Sequence, residues 1–546
     1  MADKSFDAVI IGGGNKGLIT AMYLAKYGGM EVGIFERRHE MGGGWSCEES
    51  AAPGFITNTH AVNIDKYWKI VLERDFPDCR EKGVKWFPFN PAMGTIFKED
   101  HSSIAWYAED LDPQQEKTAA SIARFSKKDA DTWLDLWKTW KEKIEPAFCQ
   151  WIYNPPPPHH EPDILEKALM DPSVGIDPIW TVKSALEVLR DLFESEEVVT
   201  SVLRPSHAGM PYSPDLPGTG IAQILLLPLL LNFGGIVGGT HSMAHACVKI
   251  FLENGGKFFT KHEVDKVLIE NGRAKGIRLS DGTEVEARKL VVSTLSPEQL
   301  CFQLIGKEYF QPRTIRRIKN LSRRLICITW YHWALHERAR YNAETFNPDI
   351  YKTGLLALSM KDPEVLIREN AWRTLGKMPP ANPRDSALLV WCLSLDDPTQ
   401  APAGKQIAGS EQFVLSADQM TEREWLEYKK KNADDVIRYW QEYAPNMSWD
   451  NIIGYDPLTP YDCLRLKNMG PQGNWGVIDV IPGQTGKYRP VPELARYKTP
   501  IENLYCTGVA WGFSAGAMDA QAYNCYKVIA KDHNLNKHWE KQGYPF

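Results

Sequence analysis

Residues 7–17 read DAVIIGGGNKG, and the fold turns on this stretch. The apolar run 7–11 predicts a short buried strand. Residues 12–17 then give G-x-G-x-x-G. Gly12 permits a tight turn, Gly14 lets a pyrophosphate approach the backbone, and Gly17 lets a helix pack on the strand. Residues 18–27 predict that helix, with Leu18, Ala21, Met22 and Ala25 along one side. Residues 31–35 predict a second strand ending at Glu36. The whole is one β-α-β unit of about 30 residues. The N–H groups at the helix start, around Asn15 and Lys16, offer an anion site, and Glu36 can accept hydrogen bonds from a ribose diol.

From Glu36 onward the chain reads ERRHEMGGG over 36–44. A second glycine cluster, ending in Gly43 and Gly44, goes beyond the minimal NAD fingerprint. It resembles the extended motif of FAD enzymes of the glutathione-reductase-like fold, in which these glycines pass close to the dinucleotide. Arg37 or Arg38 could neutralise or stack on cofactor groups. No second G-x-G-x-x-G for NAD(P)H occurs.

The run ERRHEMGGGWS, followed by Pro53-Gly54-Phe55, resembles the N-terminus of phytoene desaturase-like flavoproteins, which include carotenoid desaturases and ketolases. Two further blocks carry the same resemblance. Residues 238–283 run GG-x, helix, GG, a strand with a valine, then a DG hairpin. Residues 503–520 run NLYCTG…WGFSAGAMDA, similar to the family segment that lies against the flavin. The resemblance implies that Val264 meets the adenine end through its backbone. It also implies that Gly508 and a helix from Met518 face the isoalloxazine, where N–H donors stabilise a reduced flavin. Asp519 would cap that helix or hold the ribityl chain. The likeness covers 1–65, 235–300 and 475–530. It departs at Phe513-Ser514, where the family carries proline, and at Asn58-Thr59-His60, where Asp-Gly-Pro is usual.

The bulk numbers are those of a soluble globular protein. Of 546 residues, 43% are hydrophobic and 24% charged, with a formal net charge of −6. That length calls for two or more domains. No basic excess or Lys/Arg run points to nucleic acid. Ten scattered cysteines, without a C-x-x-C pair, suit free thiols in a reducing cytosol. No signal peptide is visible. The greasiest stretch, ILLLPLLL at 224–231, is too short to span a bilayer and contains Pro228. Core is its first reading, ahead of an apolar tunnel or a membrane-surface contact.

Ser126 predicts a helix start, and Trp133, Trp137, Trp140 and Ile144 follow on one face as a core stripe. His159-His160-Glu161 has metal-ligand residue types but sits in a proline-locked segment with no partner spacing, so no metal is assigned. Residues 257–260, 264–270, 274–279, 284–287 and 290–293 predict strands, with Asn271-Gly272 and Asp281-Gly282 as hairpin turns.

The expected fold is α/β: a Rossmann-like FAD-binding domain from 1–65, 235–300 and 475–546, and a mixed α+β substrate domain from 66–234 and 301–474. The expected activity is FAD-dependent abstraction of hydride from an activated, allylic C–H of an apolar isoprenoid, giving desaturation or hydroxylation. His60 is the candidate proton acceptor. Electrons would leave to a quinone, oxygen or a carrier protein. An amine oxidase and a non-catalytic FAD-bound partner subunit are the alternatives. Localisation is expected in the cytoplasm. Peripheral membrane contact and a homo- or hetero-oligomer stay open.

Overall fold

The computed structural model of the chain describes residues 5–207, 212–512, 516 and 519–546. Its first sheet has seven strands. The strands Lys257–Thr260, Val32–Glu36, Ser5–Ile11, Glu284–Ser293 and Leu504–Cys506 run parallel in that order. Val264–Glu270 and Arg273–Leu279 add an antiparallel extension beside Glu284–Ser293. Sequence reading split this last strand in two at 288–289. It is continuous over ten residues, because its start pairs with Arg273–Leu279 and its end with Leu504–Cys506.

The helix Asn15–Lys26 lies on this sheet and packs against the helices His241–Glu253 and Ala520–Asp532. Leu18, Ala21 and Met22 are fully buried. Burying a leucine or methionine side chain contributes about 1.5–3 kcal/mol. The helix starts three residues earlier than its apolar pattern, since Asn15, Lys16 and Gly17 are themselves buried.

A second seven-stranded sheet is ordered Ile452–Leu458, Ile328–Leu335, Gln406–Phe413, Leu388–Trp391, Leu355–Ser359, Met93–Phe97 and Ser103–Trp106. All its pairings are antiparallel except that of Leu355–Ser359 with Met93–Phe97. The helix Glu422–Gln441 joins its core through Val436, Ile437 and Trp440.

Two small antiparallel sheets, of two and three strands, and a helical layer make up the rest of the described structure. Ser126 caps the helix Lys127–Thr139 by accepting the Asp129 N–H. The helix widens into a π turn over Trp140–Ile144, and all four residues of the expected stripe are buried. The ILLLPLLL stretch continues the helix Gly220–Leu229 rather than breaking at Pro228. Ile224, Leu227, Leu230 and Leu231 are buried as core. No helix among the described residues is long and apolar enough to cross a membrane. All ten cysteines are free thiols.

Candidate functional site

The strand Ser5–Ile11 delivers the chain to Gly12, whose φ of +93° is open to glycine and strained for other residues. A Cβ there would also strike Thr294 Oγ1. One at Gly17 would meet the Gly12 carbonyl oxygen and lie 2.9 Å from Thr294 Cγ2. This is the close helix–strand packing expected of the last glycine. Glu36 ends the neighbouring strand. Its Oε2 accepts the Gly13 N–H at 2.7 Å, and its Oε1 accepts the Arg38 N–H at 2.8 Å. The second glycine cluster folds back on the first: Gly42 N–H donates to the Gly13 carbonyl at 2.8 Å. Gly14 and Gly42 form a parallel bridge.

Between these elements runs a groove of ≈ 410 Å³. It is lined by Gly12, Gly14, Asn15, Lys16, Gly17, Glu36, Arg37, Gly43, Gly44, Val264 and Gly508, residues drawn from four separated stretches of chain. The helix beside it opens on Gly14, so no N-cap side chain competes for its first N–H groups, and its first turn holds no acid. Asn15 Oδ1 accepts the Lys16 N–H at 2.9 Å. Lys16 Nζ donates to the Gly516 carbonyl at 2.8 Å, tying the glycine motif to the C-terminal segment. Burial pushes the Lys16 ammonium down to about 7, Asp519 opposing and Arg489 reinforcing the shift.

Sequence reading missed Thr294, Lys467 and Met469 in this lining. Lys467 ends the helix Pro460–Lys467 and donates to Ser46 Oγ at 2.5 Å. Burial, reinforced by Arg38, holds its pKa down at about 8. Nothing in the local sequence distinguishes it from a surface lysine.

The groove fits a dinucleotide. A Cβ on Gly14 would find nothing nearer than Gly43 Cα at 4.0 Å, so the space above this backbone is open to a ligand. Cationic side chains and helix N–H groups lie at the glycines, and a fixed carboxylate lies at the strand end. Near Gly44 the buried nitrogens Trp45 Nε1, His60 Nε2 and Trp475 Nε1 have no hydrogen-bond partner.

Two expected site residues, His60 and Asp519, stand apart from the groove. His60 is behind it: its Nδ1 lies 3.4 Å from a Cβ built on Gly44, and its ring packs on Trp475 at 4.3 Å. Burial, Lys467 and Lys16 together push its pKa down to about 3, so the ring is neutral and weakly basic. Asp519 occupies the N-cap position of the helix Ala520–Asp532 but does not cap it through its side chain. Its Oδ2 accepts the Leu72 N–H and its Oδ1 the Tyr153 hydroxyl, both at 2.7 Å. Instead of the expected side-chain cap, the carboxylate links the helix start to Leu72 and Tyr153. Burial raises its carboxyl to about 7. Met518 lies outside the described residues, as do Phe513 and Ser514. The departure at Asn58 has a structural role, since its Oδ1 accepts the Thr240 N–H at 2.8 Å beside the helix His241–Glu253.

From His60 an aromatic wall extends into the second sheet. Trp475 stacks on Trp330 at 4.6 Å and 14°, and Trp330 meets Trp391 at 4.9 Å. His332 Nε2 accepts the Trp330 indole N–H at 3.0 Å. His159, His160 and Glu161 are exposed, away from this wall and the groove.

A family model described as an NAD(P)-binding Rossmann-like domain matches residues 10–68. The chain is 26% identical over 566 residues to the pyridine nucleotide-disulfide oxidoreductase domain-containing protein 2 of Rattus norvegicus, covering 96% of this chain and 94% of the relative. It is 25% identical to a limonene dehydrogenase subunit of Castellaniella defragrans, covering 98% and 96%. A neurosporene-forming phytoene desaturase of Cereibacter sphaeroides is 24% identical over 56% of this chain and 55% of its own. Among solved structures, an oxidoreductase from Methanosarcina mazei superposes with a TM-score of 0.61 at 17% identity, covering 96% and 99%. A putrescine oxidase superposes with 0.58 at 12%, covering 97% and 98%. The likeness to both structures is one of fold.

Proposed function

We propose that this phytoene desaturase-like, FAD-dependent oxidoreductase takes hydride from an allylic C–H of an apolar, terpene-like isoprenoid, yielding a desaturated or hydroxylated product. The observation that carries this reading is the buried aromatic cluster of Trp475, Trp330 and Trp391, which meets His60 behind the groove residue Gly44. Such a cluster gives an unsaturated hydrocarbon dispersion contact and excludes water. The full-length likeness to a limonene dehydrogenase subunit and the half-length likeness to carotenoid desaturases support the same substrate class.

The segments 1–65, 235–300 and 475–546 would hold FAD, and 66–234 and 301–474 would shape the substrate side, with Lys467 and Met469 reaching across to the groove. Gly12, Gly14 and Gly17 shape the phosphate turn. Lys16 and Arg37 supply positive charge, Glu36 takes the ribose, Gly43 and Gly44 border the cofactor, Val264 takes the adenine end, and Gly508 the flavin end. Asp519 fixes the start of its helix against Leu72 and Tyr153. Bound FAD supplies the hydride acceptor.

His60 Nε2 then takes a proton from the carbon next to the cationic centre, completing a double bond. A C–H beside a carbocation is acidic enough for a weak, neutral base to suffice. Where water reaches the cation instead, the product is an alcohol. Electrons leave to a separate acceptor. Because the Castellaniella relative is named a subunit, a partner chain belongs to the same proposal.

The test is product analysis by gas chromatography and mass spectrometry, with limonene, an artificial electron acceptor and ¹⁸O-water. A product two hydrogens lighter, or one carrying ¹⁸O from water, supports the reading. No product from any isoprenoid, with peroxide formed from an amine, would move the assignment to amine oxidation.

A further inference from the structure

Behind the groove wall at Val509 lie two fully buried side chains of opposite charge, Arg489 and Asp479. Among the described residues, every hydrogen-bond partner of the Arg489 guanidinium is a backbone carbonyl. Nη2 donates to Val509 at 2.9 Å and to Gly476 and Ile478 at 3.2 Å, and Nε reaches Val509 at 3.3 Å. Nη1 donates to the carbonyls of Asp479 and Gln484, both at 3.0 Å. Val509 lines the groove, as does Val477, which Gly476 and Ile478 flank. The guanidinium therefore sits one residue behind the wall. The Asp479 carboxylate is turned to other neighbours. It accepts the N–H groups of Arg324, Leu325 and Ile326 at 3.0, 3.0 and 3.1 Å, and the Ser322 hydroxyl and Asn474 amide at 2.6 Å. None of those five residues lines the groove. Acceptors thus surround the one group and donors the other, and the positive end of the pair is the end nearer the groove. Keeping a guanidinium away from water costs free energy that a packed apolar side chain in its place would not.

We propose that Arg489 and Asp479 set the reduction potential of the bound flavin: the guanidinium, as the near end, favours the negative charge that reduction adds, and the carboxylate, as the far end, limits that gain. The inference rests on the reading of Gly508 as the flavin end of the groove. A charge fixed in a low-dielectric wall acts on charge developing in front of it without having to reorganise. The field of Arg489 already reaches the groove, where it adds to the depression of the Lys16 ammonium. The backbone works in the same sense. In a trans peptide the carbonyl and the following N–H point in opposite directions. Anchoring the Val509 carbonyl on Arg489 therefore turns the N–H of Ala510, itself a lining residue, away from the guanidinium.

The test measures the flavin potential of the FAD-loaded protein by slow anaerobic reduction against a reference dye, without substrate. Arg489→Met should disfavour reduced relative to oxidised FAD about tenfold, a fall of about 30 mV for a two-electron couple. Asp479→Asn, nearly isosteric, should move the potential the other way, upwards. Arg489→Lys keeps the cation and should stay within about threefold of the native ratio. Disturbed packing carries no sign of its own, whereas the electrostatic account requires opposite shifts. Potentials that do not move, that move in the same direction in Arg489→Met and Asp479→Asn, or that fall as far in Arg489→Lys as in Arg489→Met would each overturn the proposal. Should Arg489→Met fail to fold or to hold FAD, Asp479→Asn decides alone: a rise supports the proposal and no rise overturns it. A native protein that binds no FAD would overturn this inference together with the reading it rests on. Unmoved potentials in variants that hold FAD, beside a native protein that oxidises an isoprenoid, would overturn this inference alone.

Discussion

Replacing Gly14 by alanine separates the demands of the fold from those of the cofactor. Gly14 has φ −64° and ψ 167°, a conformation any residue adopts. A Cβ there meets nothing nearer than Gly43 Cα at 4.0 Å. The apo-protein should therefore lose no stability and gain about 0.4–1 kcal/mol, because alanine restricts the unfolded chain. The added methyl points into space that the pyrophosphate needs. Forcing one extra methyl into a close contact costs about 1–3 kcal/mol, which weakens FAD binding roughly 5- to 150-fold. Urea unfolding of the apo-protein and quenching of FAD fluorescence on binding measure the two terms separately. Gly43→Ala is the contrast: its Cβ would lie 2.8 Å from Gly14 Cα at a φ of +59°, so it should destabilise the apo-protein itself. Unchanged FAD affinity in Gly14→Ala would refute the passage of a dinucleotide over this glycine, and a destabilised apo-protein would refute the open space.

Lys16 makes FAD binding pH-dependent. Burial holds its pKa at about 7, and a bound pyrophosphate favours the ammonium. Above pH 7, binding must then take up a proton, so affinity should fall with rising pH by up to about tenfold per unit. Below pH 7 the lysine is already charged and the profile flattens. Fluorescence titrations from pH 6 to 9 should show this, and Lys16→Met should remove it; a flat native profile would contradict the role of Lys16. His60→Phe should leave the rate of flavin reduction within about threefold, since proton loss follows hydride loss, yet shift products from alkene towards alcohol. A fall in the reduction rate approaching the ~10²-fold expected of a general base acting in the same step would show that His60 acts earlier.

The glycine motif was legible because its chemistry is local. Turn, helix start and acidic strand end sit at fixed offsets, and Gly12, Gly17 and Glu36 meet those constraints within one β-α-β unit. The second glycine cluster was legible for the same reason, as it bridges directly back to Gly14. Lys467 was not, because it reaches the groove from a helix more than 400 residues along the chain, through a tertiary approach that leaves no periodic signal. Asp519 illustrates a different limit. Its position at a helix start was readable, but the direction of its carboxylate depends on Leu72 and Tyr153, which sequence spacing does not bring together. The tryptophans of the helical layer read correctly as a buried stripe. That the Trp137 indole N–H finds the Pro113 carbonyl while those of Trp133 and Trp140 find no acceptor among the described residues could emerge only once every possible acceptor had a place.

Electron transfer from an isoprenoid C–H to the bound flavin is the central claim, and flavin absorbance reports it directly. Under anaerobic conditions, limonene, which has allylic C–H bonds, should bleach the oxidised-flavin band of the FAD-loaded protein, while its saturated analogue p-menthane should leave it intact. A band that persists with every isoprenoid offered, or that bleaches with an amine instead, would contradict that claim.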